Sequence, residues 1–119
     1  MSQVAVSKAE AVAARHGRDP FRIARRLGYR VFFDPLPKGI EEMIVPDARM
    51  LFLRPECRRD RLGARRLVAH ALGHHYLHEG APVLDSIVPQ GFYYRHERQA
   101  EAFAATLLFG RRAGEAMRG

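Results

Sequence analysis

The chain has 119 residues, room for one domain, and its 47% hydrophobic content excludes a disordered protein. Twenty basic against 13 acidic residues give a formal net charge of +7, which permits contact with nucleic-acid phosphates without requiring it. A single cysteine, Cys57, excludes an internal disulfide framework, and no apolar run approaches the roughly 20 residues that span a bilayer. Residues 1–19 lack an apolar leader, so the expected location is cytoplasmic, with no membrane partner. The expected organisation is one domain over 1–119, with a core over about 5–109 and a frayed tail over 111–119.

In chain order, residues 4–16 read as a helix in which Ala5, Ala9, Val12 and Ala13 share a face, ended by Gly17. Asp19-Pro20 is an N-cap followed by proline at the first helical position, opening a short helix through Leu27 that Gly28 stops. The aromatic and β-branched run Tyr29 to Phe33 predicts a strand closed by Asp34-Pro35. Met43 to Val45 and Met50 to Leu53 predict two more strands, joined by the turn residues Pro46-Asp47-Ala48-Arg49. Pro55 then opens a long helix predicted to run to about His78. A loop punctuated by Pro82, Pro89 and Gly91 leads to a helix over about Phe92 to Phe109, with Ala100, Phe103, Ala104 and Leu107 as its apolar stripe. The fold class is therefore α+β: a small three-stranded sheet packed against helices. Five arginines cluster at Arg58, Arg59, Arg61, Arg65 and Arg66 and read as a solvated helix face.

The chemistry concentrates in the long helix. His70 and His74 are four residues apart, so their imidazoles leave the same face one turn apart and can share a metal ion. Gly73 beside the second histidine lets another backbone approach at that turn. A third ligand is required, and Glu97 falls on the buried stripe of the following helix, where a carboxylate needs a cationic partner. Glu101, one turn further on, is the rival for that role, and His78 is placed for a supporting contact one turn beyond His74.

The segment Arg66-Leu67-Val68-Ala69-His70-Ala71-Leu72-Gly73-His74-His75-Tyr76-Leu77-His78, followed by Glu97-Arg98-Gln99-Ala100-Glu101-Ala102-Phe103-Ala104-Ala105-Thr106-Leu107-Leu108, resembles the ImmA/IrrE family of zinc metallopeptidase domains. That family has an H-E-L-G-H helix and then a helix of the form E-x-x-A-x-x-F-A-x-x-L-L. The resemblance extends over about residues 5–109 and implies Zn2+ held by His70, His74 and Glu97 in a zincin-like pair of helices. It also implies a helix-turn-helix transcriptional repressor as protein partner and transcription regulation as the setting.

The chain departs from the family at Ala71, the general-base position, so no catalytic residue is assigned there. A positioned base contributes about 10² to 10⁴ in rate. Three explanations stay open: a degenerate natural protein, an engineered Glu-to-Ala inactivation, or a base supplied by His75, His78 or Glu101. The expected function is a catalytically impaired peptidase-like domain acting on a repressor. The alternatives are a non-catalytic zinc module that sequesters its partner and a basic DNA-binding protein. Direct DNA binding is disfavoured, because the strand-like Tyr29 to Phe33 follows Arg22 to Gly28 where a recognition helix would be needed.

Overall fold

A computed structural model describes residues 2–78 and 90–117, and backbone alone at Ser2 and over 90–94. Helix α1 (Ser2–His16) is followed by α2 (Pro20–Arg26), then by strands β1 (Arg30–Phe33), β2 (Glu42–Val45) and β3 (Met50–Leu53). Helices α3 (Arg61–Leu77), α4 (Gln90–Phe109) and α5 (Arg111–Glu115) complete the chain. The architecture is α+β, as the residue pattern predicts. The expected loop with Pro82 and Pro89 lies outside the described residues.

Two local expectations differ from the structure. The helix expected from Pro55 is a 3₁₀ segment over Pro55–Arg59, and α3 begins only at Arg61. The cause is Asp60, whose extended backbone breaks the helix and whose carboxylate accepts from the Gly63 amide at 2.9 Å, capping a new one. The expected frayed tail carries α5, where Gly114 is buried and a Cβ would fall on Thr106 Oγ1. Arg18 secures the same corner by donating to the carbonyls of Thr106 at 2.8 Å and Leu107 at 3.0 Å, near the end of α4.

The sheet order is β1-β3-β2, with β3 parallel to β1 and antiparallel to β2. Side chains alternate between faces, so the register defines what each face carries. Ile44 lies opposite Leu51 and Glu42 opposite Leu53, on one face. Ile44, Leu51 and Leu53 are buried there against the helices. The other face carries Phe32 and Phe52, stacked with ring centroids 5.3 Å apart. Glu42 thus sits on the inward face of edge strand β2, on the side packed against α3.

α3 is the central element, contacting α2, α4 and the sheet. Its buried side includes Leu67, Val68, Ala69, Ala71 and Leu72. Against α4 the backbones come unusually close at Gly73. A Cβ there would lie 2.9 Å from Ala100 Cα and 3.1 Å from its carbonyl oxygen, both backbone atoms. Overpacking against a backbone costs about 1–3 kcal/mol, more than the roughly 1 kcal/mol alanine gains in helix propensity. Gly73→Ala is therefore expected to lower the thermal unfolding midpoint; a midpoint equal to or above that of the unaltered chain contradicts the close approach.

Candidate metal centre

The separation of α3 and α4 at Gly73 decides how far apart their polar side chains stand. His70 and His74 leave α3 on the side facing α4, and Glu97 leaves α4 one turn before Ala100. His70 Nε2 lies 2.9 Å from Glu97 Oε1, His74 Nε2 lies 2.8 Å from Glu97 Oε2, and the two Nε2 atoms are 3.2 Å apart. One donor atom from each residue falls within 4.8 Å of both others. Tetrahedral zinc with bonds of about 2.0–2.1 Å separates its ligand atoms by roughly 3.3 Å. Two imidazole nitrogens and a carboxylate at this spacing therefore fit a zinc ion with small outward adjustments.

The supporting contacts aim the imidazoles. Gln99 Oε1, an acceptor, lies 2.8 Å from His78 Nε2, which must therefore carry the proton. Burial, with His74 and His96 nearby, pushes His78 down to about 4 against the opposing contact with Gln99, so the ring is neutral and its Nδ1 bare. That Nδ1 is 3.0 Å from His74 Nδ1 and can accept its proton, which would free the His74 Nε2 lone pair for a metal ion; as the side chains stand, His74 Nε2 donates to Glu97 Oε2 at 2.8 Å. Glu101 performs the matching function at His70: its Oε2 is 3.2 Å from His70 Nδ1. That contact lies off the N–H direction, so it is an ion-pair contact without an aligned hydrogen bond. Arg66 approaches the same Glu101 oxygen at 4.0 Å.

Of the residues singled out in the sequence, His70, His74 and Glu97 converge, while Glu101 and His78 stand behind the two imidazoles. His75 turns elsewhere, with Nδ1 2.7 Å from the hydroxyl of Tyr29. Ala71 is fully buried within the apolar core. Two residues escaped the sequence reading. Gln99 gives no signal until its neighbour is known. Glu42 lies two residues before the buried Ile44, a spacing that puts it on the same strand face, and it brings a further carboxylate to 4.0 Å from His70 Nε2.

These arrangements define a class: a small α+β domain in which successive helices assemble a His-His-Glu donor set. A family model described as IrrE N-terminal-like domain, peptidase family M78, matches residues 24–117, and the chain belongs to that family. No curated protein and no solved structure matches it.

The acidic side chains govern the titration of the imidazoles. Burial disfavours charge on His70, but contacts with Glu101 and Glu97 and the field of Glu42 outweigh it and push the imidazole up to about 10. Burial raises Glu97, yet His70 and His74 hold it far below the ordinary carboxylate range; contact with His70 lowers Glu101. In the metal-free chain the folded state thus binds the His70 proton more tightly than the unfolded state does. The stabilisation is complete below the ordinary value of 6.5 and is lost as pH rises through about 10. Thermal melts of the metal-free chain should show the midpoint falling between these pH values more steeply than in His70→Gln; parallel profiles contradict the assignment.

Proposed function

We propose that the domain binds zinc through His70, His74 and Glu97 and acts on a helix-turn-helix transcriptional repressor in the cytoplasm with impaired catalysis, retaining recognition. The convergence of three donor atoms within 4.8 Å carries the metal reading. Membership of the M78 family supports zinc as the ion and a protein as the partner. Among the described residues no helix is long and apolar enough to cross a membrane.

A bound ion would supply Lewis-acid polarisation of a carbonyl. Hydrolysis also needs a residue to take a proton from the attacking water, and Ala71 offers no acceptor. The three sequence candidates for a replacement base are each engaged: His75 with Tyr29, His78 between His74 and Gln99, and Glu101 with His70 and Arg66. This supports impairment at the chemical step, where an absent general base costs about 10² to 10⁴ in rate. Sequestration of an uncleaved repressor is the corresponding activity.

The test pairs metal analysis with a repressor assay. The unaltered chain should bind one zinc, and His74→Ala should abolish that binding. With zinc loaded, the unaltered chain should hold an intact repressor, and Ala71→Glu should raise its cleavage by about 10²-fold or more. Rapid cleavage by the unaltered chain would overturn the impairment, and a zinc-free chain would overturn the metal reading.

A further inference from the structure

The inward carboxylate of Glu42 has no role in the three-residue donor set. Its side chain is 15% exposed, and among the described residues its only polar contact is His70 Nε2 at 4.0 Å. Its nearest cationic partner is the His70 imidazole at that distance, beyond hydrogen-bond reach, and a buried carboxylate gains from a closer cation. The sheet register sets its direction: Glu42 is opposite the buried Leu53 and shares its face with Ile44, so it points toward α3.

The surrounding charges identify the missing partner. Glu42, Glu97 and Glu101 surround the two imidazoles, and Arg66, which lies 3.6 Å from Glu41, reaches Glu101 only at 4.0 Å. Metal ligation requires neutral imidazoles, so these carboxylates then face no imidazolium charge. A divalent cation supplies positive charge in its place. A single His-His-Glu set would need only one carboxylate at the ion, and Glu97 already supplies it.

We propose that Glu42 moves onto the ion as a fourth protein ligand, closing a His70-His74-Glu97-Glu42 site. The inference rests on the zinc reading above and deepens it. Structural zinc sites carry four protein ligands, whereas catalytic sites keep a position open for water or substrate. Closure by Glu42 would make the resting centre a holding site, in keeping with alanine at position 71, and a water or substrate carbonyl would reach the ion only by displacing Glu42. The carboxylate is 4.0 Å from one ligand nitrogen but outside the set of donor atoms that lie within 4.8 Å of one another, so closure requires the Glu42 side chain to swing inward from its strand, which packs on the ligand helix.

The experiment compares the full chain with Glu42→Gln and His74→Ala. Zinc affinity is read by competition with a chromogenic chelator, and coordination number from the visible spectrum after cobalt substitution. The unaltered chain should give the intense absorption of four-coordinate cobalt. Glu42→Gln should bind zinc at least about tenfold more weakly, with a weakened cobalt band. Metal-free Glu42→Gln should still melt in one cooperative transition, so weaker binding cannot be ascribed to misfolding.

Unchanged zinc affinity and cobalt spectrum in Glu42→Gln would overturn the fourth ligand while leaving the zinc reading intact. Lowered metal-free stability with unchanged affinity would assign Glu42 a packing role and also overturn it. Failure of the unaltered chain to bind zinc would overturn both readings together.

Discussion

The contact between Gly73 and Ala100 is the constraint on which the rest of the structure depends. Histidines on one helix and a glutamate on the next can share an ion only if the two backbones approach closely, and a side chain at position 73 would stand between them. Small residues continue along α4 at Ala100, Ala102 and Ala104, all buried. Larger side chains fill the space on either side of this seam, with Phe103 stacked on Tyr76 at a centroid distance of 5.6 Å. The apolar packing thereby sets the spacing of the polar cluster.

That cluster is built in layers. Glu97 spans the two imidazole nitrogens, Glu101 stands behind one ring, and His78 with Gln99 stands behind the other. Ring orientation is therefore set by contacts that never reach the shared centre. Such outer contacts typically matter for metal affinity by factors of about 10 to 100. The same acids favour a proton on His70 against the cost of its burial. The position after His70, by contrast, belongs to the apolar core. Ala71 packs with Val68 and Leu72 on the buried side of α3.

Helix periodicity and glycine placement made most of this legible in the sequence. The i, i+4 histidines and the buried-stripe position of Glu97 needed no tertiary information, and Gly73 announced a close approach whose partner proved to be Ala100. Gly28 ended the second helix as expected, at φ 92°. The start of α3 was misread because Pro55 resembles a helix opening, while the stronger signal, the side chain of Asp60 reaching the Gly63 amide, comes five residues later. Glu42 was missed for a different reason. Its face follows from strand register against Leu53, a non-local property that alternation only hints at. The helix at Arg111–Glu115 likewise depends on a long-range fit, Gly114 against Thr106.

The direct test is an X-ray absorption spectrum at the zinc edge, taken on the purified chain loaded with one equivalent of zinc. The account predicts a low-coordinate ion whose shell shows the multiple scattering of two imidazoles together with carboxylate oxygen. A shell of six water-like oxygens without imidazole scattering would contradict it.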